Sequence, residues 1–235
     1  MLTAFLNVRL HAPALLLPEL AEFYSGCLGL GVTPSDPDGA AVEVGETVIE
    51  LVPAPGSPFY HFALLAPGDR FEAALGWARD HVDILPDSET GNAVFDFTNW
   101  DAKACYFHDP AGNIVELISH RGVGETGAAG AFTAGELLGV SEIGLVGDPA
   151  PLAAKLERGL GLELWDGTVD GEARLAFVGE KARTLILCRV GRPWLPTGQP
   201  AEAHAVEIVV KGPSEGEVAL DGGGWVRRRE TRVTG

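Results

Sequence analysis

Glu116 sits in the middle of Ile114-Val115-Glu116-Leu117-Ile118, a run that is otherwise apolar. In a strand of period two, Ile114, Glu116 and Ile118 share one face, and Val115 and Leu117 take the other. A carboxylate held there is costly unless a metal, a base or a hydrogen-bond donor compensates it. The phrase has an echo: Val48-Ile49-Glu50-Leu51 repeats Ile114-Val115-Glu116-Leu117 almost letter for letter. Each glutamate strand follows another strand-like segment that opens on a polar residue, Asn7 in Asn7-Val8-Arg9-Leu10 and His61 in His61-Phe62-Ala63-Leu64. Two such units packed about a pseudo-two-fold axis would bring Asn7, Glu50, His61 and Glu116 into one pocket. Such a group can hold a cation or act as a base.

Hydrophobic spacing and turn residues define the elements that must position these side chains. Residues 3–11 read as a first strand. Pro18-Glu19-Leu20 opens a helix in which Leu20, Phe23, Tyr24, Cys27 and Leu28 fall on one side, and Gly29 and Gly31 end it. Turn residues from Pro34 to Gly39, and Gly45, separate short apolar runs at 40–44 and 47–52, which gives β-α-β-β-β. A second such unit follows: a strand at 60–66, a helix at 69–81, a short strand candidate at 83–87, and strands at 93–97, 103–108 and 113–119. Asp109-Pro110-Ala111-Gly112-Asn113 forms the last turn, because proline presets φ and Gly112-Asn113 tolerates the left-handed region. Tyr60, Trp100 and Tyr106 lie near strand ends and are candidates for the walls of a ligand pocket, although aromatic residues there usually pack.

Gly122 to Gly135 is rich in glycine and alanine, so residues 122–136 read as a linker. It separates a complete domain, 1–121 (units 1–55 and 59–120), from a truncated copy, 137–235. In the copy, Ser141-Glu142-Ile143-Gly144-Leu145 is strand-like and Pro151 to Leu160 helical. Leu160-Gly161-Leu162 closes that helix as Leu28-Gly29-Leu30 closes the first. Residues 174–179 and 184–189 resemble the meander, and 203–210 resembles the strand that starts the second unit. Leu187 stands where Glu50 stood, and the rest is too short for a complete fourth unit, so the copy is expected to have lost its site. His204 matches His61 but has no glutamate partner and reads as structural. The copy pairs either within the chain or with a second chain, which makes a homodimer a candidate assembly.

The 235 residues suffice for one large or two small domains, and 46% hydrophobic with 21% charged residues is a globular composition. Apolar runs are too short to span a bilayer. Cys27, Cys105 and Cys188 are scattered and odd in number, which points to reduced thiols in the cytoplasm rather than a disulfide framework. A formal net charge of −16 disfavours nucleic acid and suits a cationic ligand or a metal.

Paired βαβββ units, Phe23-Tyr24 followed by Leu28-Gly29-Leu30, and Asp-Pro-x-Gly-Asn-x-x-Glu from Asp109 to Glu116 together resemble the vicinal oxygen chelate superfamily. That group includes glyoxalase I, extradiol dioxygenases, fosfomycin-resistance enzymes and bleomycin-resistance proteins. The resemblance implies an α+β fold, a U-shaped mixed sheet whose concave face holds a divalent metal such as Zn, Ni, Mn or Fe. It maps the ligands onto Asn7, Glu50, His61 and Glu116, with Glu50 or Glu116 moving a proton on a small substrate that carries vicinal oxygens. Asn7 departs from the usual histidine or glutamine, which leaves a two-histidine-one-carboxylate oxygenase triad one histidine short. Isomerase or lyase chemistry therefore fits better than ring cleavage. The alternative is a metal-free protein of the bleomycin-resistance kind that sequesters a small cationic ligand. A third reading is a divergent scaffold without activity.

Overall fold

A computed structural model describes residues 4–35, 38–171 and 174–230. Thr3, where the first strand is expected to begin, and positions 36–37 of the expected turn lie outside the described residues. The first unit comprises strand β1 (Ala4–Pro13), helix α1 (Leu17–Glu22), which widens into a π-helical turn over Phe23–Cys27, and strands β2 (Gly31–Ser35), β3 (Gly39–Val44) and β4 (Thr47–Ala54). The second comprises β5 (His61–Ala66), α2 (Phe71–His81), β6 (Phe95–Phe97), β7 (Ala102–His108) and β8 (Ile114–His120). The third comprises β9 (Gly139–Val146), α3 (Pro149–Leu160), β10 (Leu164–Gly167), β11 (Ala176–Glu180) and β12 (Arg183–Cys188). A fourth unit keeps only strands: β13 (Val206–Gly212), β14 (Gly216–Ala219) and β15 (Gly224–Glu230). The α+β class and repeated units expected from the sequence are present.

Every unit uses one internal order, its first strand hydrogen-bonded in parallel to its last. The units then join through their first strands, which pair antiparallel. They do not join in the order expected. Unit one pairs with unit four through β1 and β13, giving a sheet in the order β14-β15-β13-β1-β4-β3-β2. Unit two pairs with unit three through β5 and β9, giving β10-β11-β12-β9-β5-β8-β7-β6. Both sheets thus take strands from both sides of the linker, and the C-terminal half pairs within the chain. The linker itself is tied down by Arg70, which is 5% exposed and donates to Glu136 and to the carbonyls of Ala128, Gly130 and Ala131.

Strand alternation sorts the residues. Phe62, Leu64, Val115, Leu117, Ile143 and Leu145 join one core with Val8, Leu10, Ile49 and Leu51 of the other sheet and with residues of all three helices. The opposite face of the second sheet carries a smaller apolar cluster including Ala63, Leu65, Ile118 and Ile186. Residues 83–87 form no strand, since Pro86 has no N–H to donate and only the Leu85 amide reaches Tyr106.

The Asp109 turn is the scaffold's pin. The buried carboxylate of Asp109 accepts from the amides of Ala111 and Asn113, from Asn113 Nδ2 and from the Tyr24 hydroxyl beyond α1. Gly112 supplies the left-handed φ of 79° that the reversal needs. Asn113 Oδ1 in turn accepts from the Tyr60 amide, and the Ile114 amide donates to the Tyr60 carbonyl, so the starts of β5 and β8 are locked level. Replacing Asp109 with alanine orphans four donors, two of them fully buried side-chain groups. The expected loss, read by urea unfolding, is about 2–4 kcal/mol; a loss below about 1 kcal/mol contradicts this role.

Candidate metal centre

The register of the second sheet converges three side chains. Ala63 on β5 is opposite Glu116 on β8 and opposite Glu142 on β9. Both glutamates thus flank the small Ala63 side chain, and His61, two residues earlier on the same face of β5, joins them. Potential ligand atoms of His61, Glu116 and Glu142 all lie within 4.8 Å of one another. Each glutamate is 2% exposed and the histidine 6%.

His61 is oriented by the pinned turn. Its Nδ1 lies 3.0 Å from the Ile114 carbonyl, a contact that requires the hydrogen on Nδ1. Nε2 therefore presents a lone pair, 3.5 Å from Glu116 Oε2. Burial lowers the His61 pKa to about 4, with the backbone contact to Ile114 opposing the shift and the Arg192 charge adding to it, so the ring is neutral at pH 7. Burial first, then the neighbouring Glu142, pushes the Glu116 carboxyl well above its ordinary value, while the adjacent Tyr106 hydroxyl opposes the shift. Burial raises Glu142 to about 8, and its Oε1 is buried without a hydrogen-bond partner. A lone pair and two carboxyls face one another.

The fit to a divalent ion is good. One imidazole nitrogen and two carboxylates are donors for Zn, Mn, Fe or Ni, and their two negative charges balance the ion. A small cavity of about 60 Å³ opens over the three residues. Its walls are Phe97, Trp100, Tyr106, Phe177 and Trp194, with Arg192 also in the lining. Trp100 packs edge-on to Phe177 at 4.5 Å between centroids, and its indole N–H donates to Asp166 of β10, joining the walls from units two and three. Trp194 lies 4.8 Å from the His61 ring and sits on a hairpin-like loop, with Ala201 amide to Arg192 carbonyl and Trp194 amide to Gln199 carbonyl bonds. Gly144 makes room for it: a Cβ there would stand 3.0 Å from the indole.

The sequence expectation of one four-residue pocket is corrected. His61 and Glu116 do meet, but Asn7 and Glu50 lie in the other sheet, bonded to each other at 2.9 Å. Glu50 also accepts from Arg9 at 2.7 Å. The physical reason is the pairing of β5 with β9 rather than with unit one. Trp100 and Tyr106 line the cavity, whereas the Tyr60 hydroxyl faces away, donating to the Ala205 carbonyl and accepting from the His11 amide. The C-terminal half has not lost its part in the site, since it supplies Glu142. That glutamate carries the same signal as Glu116, an acid inside an apolar strand, and so was legible. Trp194 and Arg192 lie in a proline-flanked loop with no periodicity to mark them.

No protein-family model matches the chain, and no curated protein matches it. Solved structures do. The fold aligns over 96% of this chain with 91% of a point mutant of glyoxalase I from Zea mays, at TM-score 0.57 and 15% identity. It aligns over 98% of this chain with 86% of a Bacillus subtilis protein described as a candidate dioxygenase, at TM-score 0.59 and 15% identity. At that identity the likeness is one of fold.

The raised carboxyl pKa values set a pH dependence for the metal-free protein. Glu142 has a folded value near 8 against an ordinary 4.5, so its neutral form is the one the fold favours. Stability from this group is fully present below about pH 4.5 and is lost as pH rises through 8. Thermal melts of chelator-treated protein should fall from pH 5.5 to 8.5, and Glu142→Gln should flatten the fall. An unchanged slope in that variant contradicts the assignment.

Proposed function

On the fold of the vicinal oxygen chelate superfamily, which this chain has, we propose a divalent-metal-dependent enzyme that acts on a small substrate with adjacent oxygens. His61, Glu116 and Glu142 hold the ion. The observation that carries this reading is the pair of buried carboxyls facing the His61 lone pair, with Glu142 Oε1 buried without a hydrogen-bond partner. When bound, the ion supplies Lewis-acid polarisation of the substrate oxygens. The chain's residues do the rest. The Ile114 carbonyl fixes the imidazole, as an outer partner of a metal-binding histidine does. The aromatic walls exclude water and suit a flat or apolar substrate body. Glu116, beside the Tyr106 hydroxyl, is placed to take and return a proton. Isomerase or lyase chemistry suits one histidine with two carboxylates better than ring cleavage does, because the oxygenase triad needs a second histidine. Glu50, held by Arg9 and Asn7 in the other sheet, has no part in it.

A second reading draws on the same walls. Aromatic faces above an acidic floor also suit a small organic cation, captured without chemistry. Arg192 in the lining opposes it.

Equilibrium dialysis against Mn²⁺, Zn²⁺ and Ni²⁺, with elemental analysis, separates the two. The expected result is about one ion per chain, weakened ~10-fold or more by Glu116→Gln or Glu142→Gln. Binding of less than about a tenth of an ion per chain, together with saturable binding of tetramethylammonium, would remove the enzyme reading.

A further inference from the structure

The two sheets carry matching constellations at matching register positions. In the second sheet, Ala63 on the first strand is opposite Glu116 in parallel register and Glu142 in antiparallel register. In the first sheet, Arg9 is opposite Glu50 in parallel register and Glu207 in antiparallel register. Two residues before Ala63 stands His61, facing Glu116, and two residues before Arg9 stands Asn7, bonded to Glu50. The sites thus correspond strand by strand, with one exchange of consequence. Where the second sheet has a methyl group and space, the first has a guanidinium. That group donates from Nε to Glu50 at 2.7 Å and from Nη1 to Glu207 at 3.0 Å.

We infer that Arg9 is the resident counter-ion of a duplicated cation site, and that a neutral side chain in its place opens a second divalent-metal site on Asn7, Glu50 and Glu207. The same pair of acidic side chains on flanking strands is compensated in either sheet by protons or by a cation between them. One sheet supplies it covalently, from its own first strand. The other leaves the place open to a free ion, and in that respect the inference rests on the reading of His61, Glu116 and Glu142 given above. The side chains of Glu50 and Glu207 are each 24% exposed, so the opened site is wetter than the other, and its oxygen donors would hold the ion more weakly.

The test uses the full chain as wild type, Arg9→Ala, Arg9→Met and Arg9→Lys, titrated with Mn²⁺. Dialysis counts the ions, and NMR follows the Asn7 side-chain amide signals, with broadening in each variant compared with that in wild type at one equivalent of Mn²⁺. Wild type and Arg9→Lys are expected to bind about one ion and share one Asn7 linewidth, whereas Arg9→Ala and Arg9→Met bind about two and broaden it beyond that. Adding Glu207→Gln to Arg9→Met should abolish the gain. Should the neutral variants not fold alone, Mn²⁺ is expected to restore them in refolding. Folded neutral variants with the wild-type count and the wild-type Asn7 linewidth overturn the inference, as does failure of Mn²⁺ to restore unfolded ones. A wild type that binds no ion beside an Arg9→Met that binds about one refutes the reading of the first site and leaves this one standing.

Discussion

Two carboxyl groups brought together over Ala63, in a place that water hardly reaches, are the constraint around which this molecule is arranged. Transferring one ionised carboxylate to such surroundings is costly, and a second beside it adds repulsion. A fold tolerates that only when protons or a cation occupy the gap. The sister site in the first sheet makes the same point with atoms present: the equivalent glutamates are bridged by Arg9. Identical backbone pairing has thus been given two electrostatic solutions, one closed and one open.

Everything that sharpens the open solution lies outside the carboxylates. The Asp109 turn holds β5 and β8 level, and the Ile114 carbonyl, one residue past that turn, fixes which nitrogen of His61 carries its proton. Because the same few residues close the turn, align the strands and choose the tautomer, packing and chemistry cannot be separated here. The loop from Gly191 to Ala201 then places Trp194 against the imidazole, and Gly144 on β9 yields the space. Dry walls strengthen each electrostatic interaction inside, which is what a charge-stabilising site needs.

Local signals in the sequence were legible for local reasons. The βαβββ units, the helix ends at Gly29 and Gly161, and the strand glutamates follow from period and turn chemistry, and they identified His61 and Glu116. Which first strand pairs with which was not legible. All four first strands are apolar segments with compatible edges, and the choice is settled by long-range packing that no window of residues contains. Placing Glu50 with Glu116 was therefore right about equivalence and mistaken about proximity. Glu142 is harder to read, because the position of the third unit that matches Glu50 holds Leu187 and the carboxylate stands instead on that unit's first strand. Arg9 was readable too, since an arginine amid Val8 and Leu10 beside a glutamate strand implies pairing, but its partner Glu207 is 198 residues away.

The most direct measurement is the anomalous scattering of Mn²⁺ or Zn²⁺ in crystals of the metal-loaded protein, collected across the metal's absorption edge. One strong peak bounded by His61 Nε2, Glu116 and Glu142 is expected, with no peak beside Arg9. A cavity without anomalous signal at saturating ion, or a peak bound by neither Glu116 nor Glu142, would contradict it.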